Sequence, residues 1–222
     1  MLPDELVALE GFHAVKHALR FAPALVRGIT VTSRQAAAGL CASLAPDVAA
    51  VLLARAVEGP VDHPTGVAGT ALRPVPELSV LRTRAAPLVV LDDPRHPGNV
   101  GAVVRVAAAV GASGVAVCGP LDPWSASVLR GSAGLHYALP VLACAGDQIT
   151  GPVVVLSDDG ERLTSLPLDA ALVVGSERAG VGAPWRARAD AVVALPMRPG
   201  VSSLNLATAV SAALYCWRLR QL

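Results

Sequence analysis

The stretch of sequence that decides the fold is Val192-Val193-Ala194-Leu195-Pro196-Met197-Arg198-Pro199-Gly200-Val201-Ser202-Ser203-Leu204-Asn205-Leu206-Ala207-Thr208-Ala209. Its apolar run ends at Pro196, which cannot donate a hydrogen bond to a strand ladder. A loop rich in proline and glycine follows. Ser202, Ser203 and Asn205 then stand where a helix would start, and each can cap free backbone amides. The pattern predicts a strand, a loop and a capped helix, an arrangement that holds ligands in many α/β proteins.

Two earlier stretches have a similar form. Residues 172–180 read as a strand that enters an acidic turn flanked by glycines, and residues 88–105 read as a strand, a proline-rich loop and a helix start. From residue 87 onward, the alternation of apolar runs with helical patterns predicts strands at 88–91, 114–118, 152–156, 171–175 and 191–195, and helices near 99–110, 122–131, 184–188 and 203–220. Apolar strands that alternate with helices indicate an α/β fold with a mostly parallel sheet covered on both faces.

The first eighty residues predict a smaller α/β lobe. The pattern indicates a helix over 6–27, a strand over 29–33, a helix over 36–45, a strand over 50–54, and a turn into a strand over 63–72. A stretch rich in proline and arginine follows. We therefore expect an N-terminal domain at 1–80, a linker at 81–86 and a C-terminal domain at 87–222.

Composition limits the classes of function. The chain has 222 residues, of which 53% are hydrophobic and only 3% aromatic, and its net charge is +1. So few aromatic residues argue against reading single-stranded bases mainly by stacking. A charge near zero argues against a strongly basic nucleic-acid binder. Lys16 is the only lysine among 18 basic side chains, and the arginines can bind phosphate with two donors each.

Neither a metal site nor a membrane segment is expected. The four cysteines are far apart in sequence and form no Cys-x-x-Cys motif. His13 and His17 lie four residues apart, a spacing that can bind a metal, but the sequence offers no third ligand beside them. The sequence also contains no apolar stretch long enough to cross a bilayer, so we expect a cytoplasmic protein.

The three stretches together resemble the three motifs of the SpoU/TrmH family of RNA 2′-O-methyltransferases, in the SPOUT superfamily. The matches follow the order of the family motifs and span residues 88–222. The Pro97-Gly98-Asn99-Val100-Gly101 piece with Arg105 and the Ser203-Leu204-Asn205 piece are specific. Residues 11–20 also resemble the opening of the L30e-like domain that precedes many family members. The resemblance implies a deep trefoil knot in the C-terminal domain, S-adenosylmethionine as cofactor, and methylation of a ribose 2′-hydroxyl.

The resemblance also implies the site residues. The positions that match the catalytic motifs are Arg105, Asn99, Glu177, Ser203 and Asn205. The positions expected to bind the cofactor are Gly175, Leu195, Met197, Gly200 and Leu204. Because arginine stays charged at all ordinary pH values, we expect Arg105 to bind phosphate and the 2′-oxygen, and the general base stays open. Asn99, Ser203 and Asn205 could equally serve only as helix caps.

Two other functions compete with this interpretation. One is a catalytically degenerate RNA-binding module of the same fold, although the complete set of motif residues argues against degeneracy. The other is an ordinary dinucleotide-binding enzyme, but no Gly-x-Gly-x-x-Gly motif follows the first strand of the C-terminal domain. The L30e-like lobe favours ribosomal RNA over transfer RNA. A housekeeping role and an antibiotic-resistance role both fit the sequence.

The last helix predicts a homodimer. Its apolar face is wide, because Ala209, Ala212 and Cys216 flank a stripe formed by Leu206, Val210, Ala213, Leu214 and Trp217. One sheet face can cover only part of such a surface, and a large exposed apolar patch usually marks a partner. The resemblance implies pairing through the C-terminal domain as well.

Overall fold

The computed structural model describes residues 5–75, 77–176, 179–201 and 203–221. Glu177, a predicted site residue, and Ser202, a predicted helix cap, lie outside these ranges. Two sheets organise the chain, one in the N-terminal lobe and one in the C-terminal domain.

The N-terminal lobe is a small mixed sheet with helices. Its elements are β1 (Leu6–Glu10), α1 (Phe12–Phe21), β2 (Val26–Val31), α2 (Arg34–Leu44), α3 (Ala49–Arg55), β3 (Ala56–Glu58) and β4 (Val67–Leu72). The strand order is β1-β4-β2-β3. Strand β4 pairs antiparallel with β1 and β2, whereas β2 and β3 run parallel. This arrangement confirms the α/β character predicted for the lobe.

Two sequence-based predictions in this lobe are wrong. The helix predicted over 6–27 is a strand, a helix and the start of a second strand, because Gly11, at φ 86, ends β1. Burial alternates along β1, which is the period of a strand. The strand predicted over 50–54 belongs to α3, in which Leu52 is buried and Val51 is exposed. A short apolar run without periodicity fits either structure.

The C-terminal domain is a six-stranded sheet in which every neighbouring pair runs parallel. Its elements are β5 (Leu88–Asp92), α4 (Pro97–Val110), β6 (Gly114–Cys118), α5 (Ala126–Ser132), β7 (Val141–Ala143), β8 (Val153–Arg162), β9 (Ala171–Gly175), α6 (Ala183–Ala187), β10 (Ala191–Ala194) and α7 (Leu206–Arg218). The strand order is β10-β8-β9-β5-β6-β7. The predicted fold class, α/β with a mostly parallel sheet, is confirmed; the trefoil knot stays a prediction.

Five elements differ most from the prediction. Strand β7 was not expected, since it has only three residues. Strand β8 extends to Arg162 through a polar segment, because that segment pairs with β10 after a register shift between Val192 and Val193. Helix α4 begins two residues earlier than expected, with Pro97 in its first turn, where proline is favoured. Helices α5 and α7 begin later, at Ala126 and Leu206.

The two lobes are joined by specific contacts. The His17 ring donates from Nδ1 to the carbonyl of Ala133 at 2.7 Å, and the Tyr137 hydroxyl donates to the carbonyl of Leu72 at 3.3 Å. Gly134 lies so close to α1 that a Cβ there would come within 2.7 Å of the Ala14 Cα atom. The N-terminal lobe therefore has a defined position against the segment that follows α5.

A buried histidine lies at the centre of this segment. The His136 side chain is 1% exposed, and its Nε2 lies 2.7 Å from the carbonyl oxygen of Pro123, which can only accept. Its Nδ1 lies 2.7 Å from the Ser132 hydroxyl, and its ring packs edge-on against Trp124. Burial lowers the pKa of His136 to about 4 from its ordinary value of 6.5.

We expect His136 to make the protein less stable in mild acid. Below pH 6.5 the unfolded chain binds a proton at this ring, but the folded chain does not until the pH approaches 4. The free energy of unfolding should therefore fall by about 3 kcal/mol as the pH drops through this window. Urea unfolding at several pH values checks this. His136→Gln should lose this part of the pH dependence, and an unchanged dependence in that variant would contradict the assignment.

Candidate functional site

The predicted site residues lie after strands that end at the same edge of the C-terminal sheet. The chain leaves β5 at Asp92, β9 at Gly175 and β10 at Ala194. Because the strands are parallel, their carboxyl ends share one edge, where open α/β sheets bind ligands. The three loops that carried the sequence motifs therefore start from one side of the sheet.

A cavity of about 210 Å³ opens at this edge. Its walls are mainly apolar side chains and backbone, with a few polar groups. It is lined by Leu156, Ser157, Asp158, Val174, Gly175, Ser176, Gly180, Val181, Leu195, Met197, Ser203, Leu204, Leu206 and Ala209. Of the residues predicted to bind a cofactor, Gly175, Leu195, Met197 and Leu204 line it, whereas Gly200 does not. Ser203, predicted to be catalytic, also lines the cavity.

Gly175 is required by the close approach of two backbone segments. A Cβ atom there would overlap the carbonyl group of Gly180. The amide of Gly180 in turn donates to the carbonyl of Ser176 at 3.0 Å, which closes a tight loop. One wall of the cavity is thus formed partly by backbone. Glu177, predicted to be catalytic, lies outside the described residues.

Asp92 is a site residue that the sequence analysis did not single out. Its Oδ2 accepts a hydrogen bond from the amide of Gly182 at 2.7 Å. Gly180 and Val181, immediately before Gly182, line the cavity. The Asp92 carboxylate therefore anchors the loop after β9 to the end of β5. The sequence did contain one indication of this role, because Asp92 is an acidic residue directly after a buried apolar run.

Asn205 connects two of the three motifs. Its Oδ1 accepts from the amides of Ala207 at 3.0 Å and Thr208 at 3.4 Å, which caps α7. This orients the side-chain amide so that Nδ2 donates to Asn99 Oδ1 at 3.0 Å. Asn205 is therefore both a helix cap and a bridge. The alternative role for Asn99 as the cap of α4 is wrong, because α4 begins at Pro97 and His96 is its cap position.

Arg105 lies on the exposed side of α4, away from the buried face of that helix. It is not among the residues that line the cavity. Burial lowers the pKa of His13 and of Lys16 on α1, and the positive charge of Arg105 lowers both further. The structure thus brings Asn99 and Asn205 together beside the cavity, and brings Arg105 near the N-terminal lobe.

In the ranges that the structure describes, no group of three or more histidine, cysteine or acidic side chains could hold a metal ion. The His13 and His17 rings lie 6.5 Å apart, and His17 is hydrogen-bonded to Ala133. No helix in the described part of the chain has the length and apolarity needed to span a bilayer.

Comparison with known proteins places the C-terminal domain in a family. A family model described as the SpoU rRNA methylase family matches residues 86–215. The chain is 27% identical over 229 residues to a 23S rRNA (guanosine(2553)-2′-O)-methyltransferase of Bacillus subtilis, covering 96% of this chain and 87% of that protein. It is 32% identical over 144 residues to a 23S rRNA (uridine(2479)-2′-O)-methyltransferase of Streptomyces viridochromogenes, covering 57% of this chain and 50% of that protein. The chain thus spans about half the length of some curated relatives it matches.

Solved structures match both lobes. An rRNA methyltransferase from Sinorhizobium meliloti, bound to AdoMet, is 25% identical, with a TM-score of 0.74 over 98% of this chain and 88% of that one. An RNA 2′-O ribose methyltransferase is 27% identical, with a TM-score of 0.74 over 98% of this chain and 89% of that one. The similarity therefore covers the N-terminal lobe as well as the region that the family model matches.

The two roles of Asn205 can be separated by substitution. Asn205→Ala removes the cap of α7 and should lower the free energy of unfolding by about 1 kcal/mol. Asn205→Asp keeps an acceptor for the helix amides but cannot donate to Asn99, so most of the stability should remain. Urea unfolding of both variants checks this. An equal loss of stability in both would mean that the bridge to Asn99, rather than the cap, determines the contribution of Asn205.

Proposed function

This chain belongs to the SpoU rRNA methylase family, and from that premise we propose that it is an S-adenosylmethionine-dependent methyltransferase that modifies a ribose 2′-hydroxyl of ribosomal RNA. The observation that carries the proposal is the cavity at the carboxyl edge of the sheet. It is lined by four of the residues expected to bind the cofactor, and Ser203 from the third motif lies in the same wall.

The cavity suits the proposed cofactor. Adenine is flat and largely apolar, and the side chains of Leu156, Leu195 and Leu204 offer an apolar surface for it. The backbone around Gly175 and Gly180 offers amide and carbonyl groups to polar edges. Asp158 offers a negative carboxylate for hydroxyl or amino groups. Bound S-adenosylmethionine would supply a methyl group attached to a positively charged sulfur.

The residues of this chain would position the acceptor. The 2′-hydroxyl is a weak acid, so its attack needs a nearby group that takes its proton or stabilises the developing negative charge. Arg105 would hold the adjacent phosphate and the 2′-oxygen through its charged guanidinium group. The hydrogen bond between Asn205 and Asn99 would fix the positions of the loops after β5 and β10 relative to each other. Glu177 belongs to this set as a prediction from its motif position.

The N-terminal lobe would bind the RNA. We propose residues 1–80 as an L30e-like RNA-binding domain, 81–86 as a linker and 87–222 as a knotted methyltransferase domain. Lys16 and His13 on α1 lie near enough to Arg105 for their charges to interact. A phosphate backbone that crosses from α1 to α4 would neutralise these groups together. A ribosomal RNA substrate would place the protein in the cytoplasm.

The proposal is tested by transfer of a labelled methyl group from S-adenosylmethionine to unmodified ribosomal RNA, followed by mapping of the modified ribose. Ribosomal RNA from a strain that lacks the gene should lose one 2′-O-methyl group at the same nucleotide. Transfer RNA serves as the competing substrate. Modification of transfer RNA alone would overturn the choice of substrate. Binding of RNA without methyl transfer would favour a catalytically degenerate module.

We expect Leu204→Asp to weaken S-adenosylmethionine binding at least about tenfold, because it puts a carboxylate into an apolar wall. Calorimetry measures this, with NAD as a control ligand that should not bind. Leu44→Asp on α2 is the matched control, since both leucines are about equally exposed, at 42% for Leu204 and 48% for Leu44. A chelator should not change the affinity. Wild-type binding by Leu204→Asp would show that the cofactor lies elsewhere.

Arg105→Ala should lower methyl transfer on the order of 100-fold or more while S-adenosylmethionine affinity stays unchanged, because Arg105 is absent from the cavity wall. Arg105→Lys should also transfer poorly, since one ammonium group cannot replace a planar guanidinium. Arg27→Ala, an exposed arginine of the N-terminal lobe, is the control and should retain activity. Turnover at the wild-type rate in either Arg105 variant would refute this role.

We propose a homodimer through a different face of α7 from the one that the sequence suggested. Leu206, Val210, Ala213, Leu214 and Trp217 are buried within the chain's own fold, and α7 packs on α4. Exposed apolar side chains remain on another stripe, formed by α7 and the residue that follows it, where Tyr215 is 45% and Leu219 67% exposed. We propose that this second stripe, which also contains Ala212, pairs with a second copy of the chain.

Tyr215→Asp combined with Leu219→Asp should convert the dimer to a monomer at micromolar concentration, as measured by light scattering. The charges would have to be buried without partners at the interface. Leu6→Asp, at a 58% exposed position on β1, is the control and should stay dimeric. A wild-type protein that is an active monomer would rule the dimer out.

A further inference from the structure

Two cysteines that are far apart in sequence lie side by side in the sheet. Cys118 is the last residue of β6, and Cys144 follows β7 directly. The register pairs Val117 with Ala143, and the amide of Cys144 donates to the carbonyl of Val117 at 3.1 Å. The two cysteines occupy the next step of the same ladder, so their side chains point to the same face. Their sulfur atoms are 3.8 Å apart.

The surroundings favour one thiolate in this pair. The hydrogen bond that the two thiols share lowers the pKa of Cys144, although burial and the nearby Asp147 oppose this. The same bond raises the pKa of Cys118, as do burial and Asp92, whereas the charge of Arg188 lowers it. Both side chains are partly exposed. The thiolate is the reactive form of cysteine, so Cys144 is the attacking group.

The other cysteines lack such a neighbour among the sulfur contacts of the described residues. Cys41 is fully buried in the N-terminal lobe. The Cys216 sulfur, on α7, lies 3.8 Å from the carbonyl of Thr164. The proposed methyl transfer uses none of the four cysteines, so the 118–144 pair is a feature that the methyltransferase site leaves unexplained.

We propose that Cys118 and Cys144 form a reversible disulfide when the protein reacts with a small-molecule disulfide. The Cys144 thiolate attacks one sulfur of that molecule, breaks its S–S bond and releases one thiolate. The Cys118 sulfur then attacks the Cys144 sulfur, forms the protein disulfide and releases the second thiolate. The two protons of the protein thiols go to the two leaving groups. The pair loses two electrons, and the small disulfide gains them.

The geometry of the sheet permits this bond. Neighbouring strands lie about 4.8 Å apart, within the range of Cα separations of about 4.4–6.8 Å that disulfides span. The two sulfur atoms must move about 2 Å closer to reach the S–S bond length of about 2.0 Å. Side-chain rotation and a small shift of the strand ends can supply this movement. Strand β7 has three residues and lies at the edge of the sheet, so its end has few neighbours to resist the shift.

The pair also lies one strand from the methyltransferase site. Cys118 is in register with Asp92, and its carbonyl accepts from the amide of Asp93 at 2.7 Å. Asp92 anchors Gly182 beside the cavity. The cysteine pair is therefore connected to the cavity wall through Asp92 of β5. Formation of the disulfide requires neither the cofactor nor RNA.

The test uses the full chain treated with glutathione disulfide under native conditions, then alkylation, mass spectrometry and peptide mapping. We expect two alkylatable thiols to disappear, a mass loss of about 2 Da from the bond itself, and a peptide that links residues 118 and 144. Dithiothreitol should restore all four thiols. Cys216→Ser is the matched control and should still form the bond.

The single variants Cys118→Ser and Cys144→Ser should not form an intramolecular bond, and Cys118→Ser should instead keep glutathione on Cys144. Four free thiols after treatment of the wild-type protein would overturn the proposal, and so would a bond to Cys41 or Cys216. If the serine variants fold poorly, Cys118→Ala and Cys144→Ala give the same outcomes. Because the readout is covalent, methyl transfer can fail without affecting the result.

Discussion

The site depends on one constraint, which is that all the strands of the C-terminal sheet run in the same direction. Strands β5, β9 and β10 are far apart in sequence, but their carboxyl ends lie at one edge. The loops after these strands therefore meet, and α4 and α7 start close enough together for their side chains to bond. Reversing any one of these strands would send its loop to the opposite edge of the sheet and separate the motifs.

Three details of the loops keep this edge in its observed shape. Asn205 uses its oxygen to cap α7 and its nitrogen to bond Asn99, so the helix cap orients the bridge. Gly175 lets the chain fold back so closely that Gly180 takes the space of a side chain. Asp92 then anchors this returning loop to the central strand. The backbone part of the cavity wall therefore depends for its position on a few side-chain contacts.

The sequence predicted the parallel sheet well because its strands are nearly continuous apolar runs, which indicate burial on both faces. It predicted the N-terminal lobe less well. The run at 50–54 has no periodicity, and Gly11 divides what looked like one helix. It could not reveal that Arg105 lies outside the cavity, that Cys118 adjoins Cys144, or that the polar end of β8 pairs with β10. Each of these depends on which strands become neighbours, and local pattern carries no such information.

The position of Arg105 gives the N-terminal lobe a part in the proposed chemistry. Contacts of His17 with Ala133, and of Tyr137 with Leu72, hold the N-terminal lobe against the segment after α5. Lys16 and His13 consequently lie near Arg105, and the pKa of each is lowered first by burial and further by repulsion from positive neighbours that include Arg105. A phosphate chain across this surface would remove that repulsion and raise both pKa values, so binding of the polyanion would be coupled to proton uptake. The arginine would then be held by the substrate itself.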